Sequence, residues 1–217
     1  MAIDLYGNYA ELRASEREGI DYRIVFLDRH SPVTVIAPHG GLIEPPTSRL
    51  AVAIAADEYN AYRFEGLRAG REHHELHITS LSFDEPIGCG LIAKSDIVIA
   101  LHGRRDRKEP KSVWIGGLDG ELRDEIALNL ERAGFQAATT GHEFPALDLA
   151  NICNRGRRKK GVQLEIPRSL RDMLSRDTEI FGRFTNAMRA GIADAVRTTR
   201  ASPDADAQRN LTRSRKA

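Results

Sequence analysis

Apolar residues along the chain gather in short runs that end at glycine, proline or histidine. Residues 33–37 and 96–101 form the two strongest runs, and their nearly continuous apolar character predicts strands buried on both faces. Residues 22–27 and 161–166 predict two more strands, and 22–27 is expected to pair with 33–37 across a short loop. Weaker strands are predicted at residues 62–67, 76–79, 112–115 and 135–140.

Helical spacing of apolar residues alternates with these strands. Helices are predicted over residues 47–59, 85–95, 121–133, 169–176 and 179–199. Asp119 is placed to cap the helix over 121–133. This alternation predicts a three-layer α/β fold, with a mostly parallel or mixed central sheet and flanking helices. We expect one catalytic domain over residues 1–200 and a flexible, polar tail over 201–217.

Polar side chains follow the strongest strands at the point where each one ends. His39, Gly40, Gly41 and Glu44 come directly after 33–37, which we expect to stop at Pro38. His102 follows the strand over 96–101, and Glu165 interrupts the apolar run over 161–166. Sites in α/β sheets form beyond the carboxyl ends of the strands, so these side chains are expected to meet there.

Two histidines and one glutamate are a common ligand set for catalytic zinc, with a fourth position left for water. His39, Glu44 and His102 can supply it. Glu165 is interpreted as the general base, because a carboxylate in an apolar strand is costly unless it is paired or lines a cavity. Each of these residues also has a structural interpretation when it is considered alone. His102 could be a loop histidine, Glu44 could be a charge at a helix N-terminus, and Glu165 could be an edge-strand residue that faces water.

Three further residues are candidates for substrate binding: Asn154, Arg155 and His77. A guanidinium at position 155 could hold a substrate carboxylate in bidentate fashion. Alternatively, Arg155 only begins the basic run that follows it. His77 could contact the substrate, support the metal ligands or serve structure alone, while His73 and His74 are expected to face solvent.

The composition sets limits on the class of protein. The chain of 217 residues has 41% hydrophobic and 29% charged residues, as in ordinary globular proteins, and no apolar run approaches the length of a membrane span. Two cysteines, Cys89 and Cys153, make neither a disulfide framework nor a zinc finger. The polar N-terminal residues contain no apolar signal core. A cytoplasmic protein is therefore expected, which could be released by cell lysis.

The net charge of +1 conceals two basic clusters. The first contains Arg104, Arg105, Arg107, Lys108 and Lys111, and the second contains Arg155, Arg157, Arg158, Lys159 and Lys160. Local basic patches of this kind predict an anionic partner, and they could attract it over a distance.

Seven short segments together resemble one protein family. They are 38–44, 76–80, 83–86, 101–103, 116–118, 151–155 and 161–166, in the same order over about residues 20–170. In these segments the chain resembles the poly-γ-glutamate hydrolases of bacteriophages and prophages. The resemblance implies a zinc-dependent amidohydrolase with a carboxypeptidase-like α/β fold, with metal ligands at His39, Glu44 and His102 and a catalytic carboxylate at Glu165.

The expected activity is therefore hydrolysis of γ-glutamyl amide bonds in poly-γ-glutamate or a similar acidic peptide. One alternative is a zinc deacylase that acts on a small N-acyl amino acid such as formylglutamate. The other is a non-catalytic module that binds anions or nucleic acid through its basic residues, including those near the C-terminus (Arg209, Arg213, Arg215 and Lys216). A low aromatic content and the absence of a nucleic-acid motif argue against that last alternative.

Overall fold

A seven-stranded sheet forms the centre of the protein. The structure is a computed structural model that describes residues 4–106, 109 and 111–201, with the backbone alone for 198–201. The predicted tail therefore lies almost entirely outside the described residues. The strands are β1 (Tyr22–Leu27), β2 (Val33–Gly41), β3 (Asn60–Gly66), β4 (Ile97–Arg104), β5 (Ser112–Gly116), β6 (Gln136–Ala138) and β7 (Val162–Pro167).

The strand order in the sheet is β1-β3-β2-β4-β7-β5-β6. The four central strands β3, β2, β4 and β7 run parallel, whereas β1 at one edge and the β5–β6 pair at the other run against them. The carboxyl ends of the four central strands therefore lie at one edge of the sheet, where α/β proteins place their sites. The predicted mixed α/β sheet is confirmed.

Helices cover both faces of this sheet, as predicted. Side chains alternate along each strand, so β4 sends Ile97, Ile99 and Leu101 to one core and Val98 and Ala100 to the other. None of the helices among the described residues is long and apolar enough to cross a membrane. The helices are α1 (Tyr9–Ser15), α2 (Thr47–Ala55), α3 (Pro86–Ala93), α4 (Gly120–Arg132), α5 (Arg168–Arg176) and α6 (Thr178–Ala201), with 3-10 turns at His73–Glu75 and Ile152–Arg155.

The partner predicted for β1 is wrong. β1 pairs antiparallel with β3, and β3 lies between β1 and β2. The reason lies in the burial of the two strands: β2 is buried along nearly its whole length and needs a parallel neighbour on each side, whereas β1 is largely exposed or half-buried, as suits an edge.

Strand β2 continues past the proline at which it was expected to stop. The pairing of β2 with β3 shifts by one residue between Ala37 and Gly40, which marks a β-bulge around Pro38 and His39. A bulge tolerates a proline, because the extra residue makes no ladder hydrogen bond, and it also redirects a side chain. The bulge thus lets a buried strand carry His39 to the edge where the parallel strands end.

Two smaller predictions also fail. Residues 76–79 form no strand but cross the carboxyl edge of the sheet as irregular backbone. Asp119 occupies the predicted N-cap position of α4, but its side chain makes no capping hydrogen bond. The carboxylate instead lies 3.2 Å from both the Arg158 guanidinium and the Lys160 ammonium, and its burial is offset by these two cations.

Residues 151–156 lie unusually close to the sheet. A methyl group on Gly161, at the start of β7, would overlap the carbonyl oxygen of Cys153 and would lie 2.8 Å from that of Val98. The Gly161 N–H donates to Asn154 Oδ1 at 3.1 Å. Glycine at position 161 therefore permits the 3-10 turn Ile152–Arg155 to rest directly on the backbone of two strands.

We expect Gly161→Ala to lower the free energy of unfolding by about 1–3 kcal/mol or more, because backbone atoms must move to admit the methyl group. Gly182→Ala is the matched control. It lies within α6, where a Cβ would meet nothing within 4 Å, so a gain of about 0.5–1 kcal/mol is expected there. Urea unfolding of both variants measures this, and equal stabilities would contradict the close approach.

Candidate metal centre

The carboxyl edge of the sheet brings together the polar residues that end the central strands. Glu165 of β7 lies directly beside His102 of β4 in the parallel ladder, so both side chains point to the same face. His39 of β2 reaches the same place through the bulge. All three are buried, as is Glu44 in the turn after β2, with exposures between 1% and 7%.

Three side-chain atoms converge at the centre of this cluster. His39 Nδ1 lies 3.1 Å from His102 Nδ1 and 3.4 Å from Glu44 Oε2. The third side of the triangle, from His102 Nδ1 to Glu44 Oε2, measures 3.9 Å. A tetrahedral zinc ion with bonds of about 2.0–2.1 Å would separate its ligand atoms by about 3.4 Å. The donor set therefore fits a zinc ion.

A second set of possible ligands shares two of these residues. Ligand atoms of His39, Glu44 and His77 also lie within 4.8 Å of one another. His77 Nδ1 is 2.8 Å from a carboxylate oxygen of Asp4, which leaves Nε2 as its possible ligand atom. The separations of 3.1 to 3.9 Å in the set with His102 match a tetrahedral ion, and we assign the centre to that set. His77 is then a neighbour of the centre, with its ring centre 3.9 Å from that of His39 and its ring tilted by 38°.

The ionisation of Glu44 and His102 suits a cation. Burial acts to raise the pKa of Glu44, but the charge of His39 and the hydrogen bond from His73 hold this pKa well below its usual range. Burial, and then the charge of His39, lower the pKa of His102 to about 3. Burial acts to lower the pKa of His39, but the Glu44 carboxylate raises it, and the net result is a pKa above the usual value. A carboxylate and an unprotonated imidazole are the forms that bind metals.

Each oxygen of Glu44 has a partner of its own. Oε2 accepts a hydrogen bond of 2.8 Å from the Gly103 N–H, and Oε1 lies 3.0 Å from His73 Nε2. Hydrogen bonds of this kind fix the orientation of a ligating carboxylate. His73 was expected to face solvent, but its half-exposed ring reaches into the site.

The far nitrogens of the two central histidines are fixed as well. His39 Nε2 lies 2.8 Å from the carbonyl oxygen of Ile78, which can only accept, so Nε2 carries the hydrogen and Nδ1 is left to face the cluster. His102 Nε2 lies 3.2 Å from Ser80 Oγ. Neither Ile78 nor Ser80 stood out in the sequence as a residue of the site.

Glu165 lies beside the converging ligands in a setting that favours its neutral form. Burial, and then the charge of Glu44, raise the pKa of Glu165 well above its usual range, although Arg104 and Gln163 act in the opposite direction. The Gln163 amide donates to Glu165 Oε1 at 2.9 Å. A buried carboxyl group with a raised pKa next to a candidate metal centre is suited to accept and return a proton.

The asparagine–arginine pair is engaged by the backbone of the fold. Both amide N–H groups of Asn154 donate to backbone carbonyls, those of Ala146 and Asp148, at 2.8 Å. The Arg155 guanidinium donates to four backbone carbonyls, namely those of Ser80, Leu81, Phe83 and Ala150. These contacts give both residues a role within the fold, and their role in substrate binding stays a prediction.

Most of the second basic cluster is paired within the fold, and Arg104 of the first cluster is internal. Arg104 is buried, with its guanidinium 3.6 Å above the centre of the Trp114 ring and donating to backbone carbonyls. In the second cluster Arg157 pairs with Asp96, while Arg158 and Lys160 pair with Asp119 as described above. Arg105, Lys111 and Lys159 are exposed and take part in none of these ion pairs, so the predicted cationic surface is reduced to these three among the described residues of the two clusters. Arg107 and Lys108 lie outside the described residues.

Fold and site together define a class: an α/β protein with a candidate His–Glu–His metal centre at the carboxyl end of its parallel strands. Comparison with known families agrees with this class and makes it specific. The chain belongs to the poly-γ-glutamate hydrolase family, whose model matches residues 6–194. The resemblance seen in seven short segments thus extends over most of the chain.

Individual relatives cover nearly the whole domain. The SPbeta prophage-derived protein YoqZ of Bacillus subtilis (strain 168) is 37% identical over 198 residues, which span 90% of this chain and 68% of YoqZ. A bacteriophage poly-γ-glutamate hydrolase superposes with a TM-score of 0.83 at 30% identity, covering 88% of this chain and 97% of the other. The zinc-free form of YndL gives a TM-score of 0.80 at 32% identity, covering 88% and 98%.

Proposed function

We propose that the protein is a zinc-dependent hydrolase that cleaves the γ-glutamyl amide bonds of poly-γ-glutamate. The observation that carries the proposal is the convergence of His39 Nδ1, Glu44 Oε2 and His102 Nδ1 next to the buried carboxyl group of Glu165. Membership of the poly-γ-glutamate hydrolase family supports the substrate, and the existence of a zinc-free form of the relative YndL supports the choice of metal.

In this proposal His39, Glu44 and His102 would hold the ion. When bound, zinc lowers the pKa of a coordinated water to about 7 and polarises a carbonyl group. The protein's own contribution is to keep the two histidines and the glutamate in one orientation, through Ile78, Ser80, Gly103 and His73. Such preorganisation removes the need to reorient groups during the reaction.

Glu165 handles the proton in this proposal. The amide carbon gains a bond to the oxygen of water and loses its bond to nitrogen. Glu165 accepts the proton that the attacking water gives up, and the same carboxyl group then donates it to the departing amine. Its position beside His102 in the β4–β7 ladder supports this role.

Removing the metal is the direct test of the proposal. We expect chelator-treated protein to leave poly-γ-glutamate at its original chain length, and stoichiometric zinc to restore cleavage. Magnesium serves as the control ion: it prefers six oxygen ligands and should not restore activity. Chain length by gel electrophoresis or light scattering gives the readout.

The possible outcomes separate the alternatives. Zinc bound stoichiometrically with an intact polymer would keep the metal centre and point to a small N-acyl amino acid as the substrate. Cleavage that persists without metal would overturn the zinc mechanism. Salt-sensitive oligonucleotide binding without metal-dependent hydrolysis would instead favour a binding module.

A further inference from the structure

One irregular segment fixes the far nitrogens of both central histidines. Ile78 supplies the carbonyl oxygen for His39 Nε2, and Ser80 supplies the hydroxyl for His102 Nε2. Residues 78–80 belong to no helix or strand, so the sheet does not set their positions. The orientation of both imidazoles therefore depends on whatever holds this segment in place.

The contacts that hold it come from the Asn151–Arg155 segment, more than seventy residues later in the chain. The Arg155 guanidinium donates to the carbonyls of Leu81 at 2.7 Å and Ser80 at 3.3 Å, and it also donates to that of Phe83. The backbone N–H of Ile152 donates to the Ser80 carbonyl at 2.9 Å. A planar guanidinium with several fixed donors can bind adjacent carbonyls at once.

The other end of the same segment leads to Glu165. The Asn151 amide donates to Gln163 Oε1 at 2.9 Å, and the Gln163 amide donates to Glu165 Oε1 at 2.9 Å. The Cys153 N–H donates to Asn151 Oδ1, so the NH₂ group of Asn151 faces Gln163 Oε1 and the NH₂ group of Gln163 faces Glu165. All three side chains are buried, and a buried amide relay of this kind has one favoured direction.

The segment is itself firmly anchored. Asn151 Oδ1 accepts from the Cys153 N–H, and Asn154 bonds the backbone on both sides, accepting from Leu118 and Gly161 and donating to the loop before it. The close approach at Gly161 brings the segment against the sheet. The rigid segment makes two chains of contacts. The first arm runs from Arg155 to the residues that hold the histidines, and the second arm runs from Asn151 through Gln163 to Glu165, so the segment can set the geometry of both groups.

We propose that the Asn151–Arg155 segment is a positioning element of the active site: Arg155 sets the two histidines through residues 78–83, and Asn151 sets Glu165 through Gln163. This inference rests on the proposed zinc hydrolase function. The segment touches neither the metal nor the reacting atoms. Its two arms act on different groups, so their loss has different consequences.

Metal affinity tests the first arm. Arg155→Lys and Ser80→Ala are expected to weaken zinc binding by about 10–100-fold, as is typical when outer partners of ligating histidines are lost. A lysine ammonium cannot replace the fork that binds several carbonyls. Metal-free protein is titrated with zinc against a chromophoric chelator. Arg157→Lys is the matched control: its side chain is 57% exposed and pairs only with the surface Asp96 among the described residues, so zinc affinity should stay within about two-fold.

Kinetics test the second arm. Gln163→Met keeps the side-chain volume but removes the donor to Glu165, so kcat on poly-γ-glutamate is expected to fall by about 10–100-fold. Zinc affinity should remain within about two-fold of the wild type, and KM should change little. A purely structural role would lower the melting temperature without separating kcat from zinc affinity in this way.

Each outcome decides the inference. If the wild type binds zinc and cleaves polymer while Arg155→Lys and Gln163→Met behave like Arg157→Lys, the positioning role is overturned and the proposed function stands. If Gln163→Met loses as much zinc affinity as Arg155→Lys, the two arms are not separate and the inference is also overturned. A wild type that binds no zinc overturns the proposed function itself. Should Arg155→Lys fail to fold, Ser80→Ala decides the first arm.

Discussion

The Glu165→Gln variant is expected to cleave poly-γ-glutamate about 10²–10⁴-fold more slowly than the wild type, which is the usual contribution of a general acid–base group. Zinc affinity should be almost unchanged. The reason is geometric: Glu165 lies beside His102 in the sheet, but the converging ligand atoms are those of His39, Glu44 and His102.

The substitution is conservative within the site. The carbonyl oxygen of a glutamine at position 165 can still accept from the Gln163 amide, so the buried relay keeps its hydrogen bonds. An amide cannot accept and return the proton that the reaction moves, however. The variant therefore removes the chemistry and leaves the shape, and burial of a neutral amide in place of a carboxyl group should not reduce stability.

Single-turnover cleavage of the polymer and zinc titration of the metal-free variant make the two measurements. Glu131→Gln is the control, because Glu131 is an exposed residue near the end of α4. It should match the wild type in both assays. Near-normal cleavage by Glu165→Gln would remove Glu165 from the mechanism, whereas loss of zinc would make it a ligand.

The parts of the site that lie on strands could be predicted from the sequence. Continuous apolar runs identify β2 and β4 as central strands, and alternating apolar residues identify β7 as a strand. The residues at their ends fall together because parallel strands share a carboxyl edge. His39, His102 and Glu165 meet in the structure for this reason. Glu44 follows within five residues of His39, so its turn cannot carry it far away.

The remaining contacts depend on residues far apart in sequence. Arg155 bonds carbonyls that lie 72 to 75 residues earlier, and nothing in a basic run distinguishes this from a surface arginine. The contact of His73 with Glu44 likewise spans 29 residues. Gln163 is different, because its position two residues before Glu165 places both on one face of a strand, and that spacing could have marked it.

The pairing of the edge strand β1 also could not be predicted from the sequence. A short loop between β1 and β2 favours a hairpin locally, but the burial of β2 on both faces requires β3 and β4 as its neighbours. The global arrangement therefore overrides the local preference. The bulge at Pro38 is a second case in which the global arrangement overrides a local preference. Proline normally ends a strand, but β2 continues past Pro38 because no ladder hydrogen bond is required there.

Two alanine variants test which histidine completes the metal centre. His102→Ala is expected to weaken zinc binding by about 10²–10³-fold and to abolish cleavage, whereas His77→Ala should change zinc affinity by less than about ten-fold. Structural zinc sites bind with about 10–16 kcal/mol, so one ligand accounts for roughly 3–4 kcal/mol, or two to three powers of ten.

The structure gives a physical reason for this difference. His102 Nδ1 lies within 3.9 Å of both other ligand atoms, and its Nε2 is held by Ser80, the arrangement expected of a metal-ligating imidazole. His77 is not one of the three ligands in the assigned centre. Its ring centre lies 3.9 Å from that of His39 at a tilt of 38°, so its removal should disturb packing more than coordination.

Zinc titration of both metal-free variants, with melting temperatures as the check on folding, makes the comparison. A large loss of affinity in His77→Ala, with His102→Ala close to the wild type, would transfer the third ligand to His77. The centre would then lie nearer Asp4 and farther from Glu165, and the base would no longer stand beside the site of attack. The assignment of the third ligand and the role of Glu165 therefore stand or fall together.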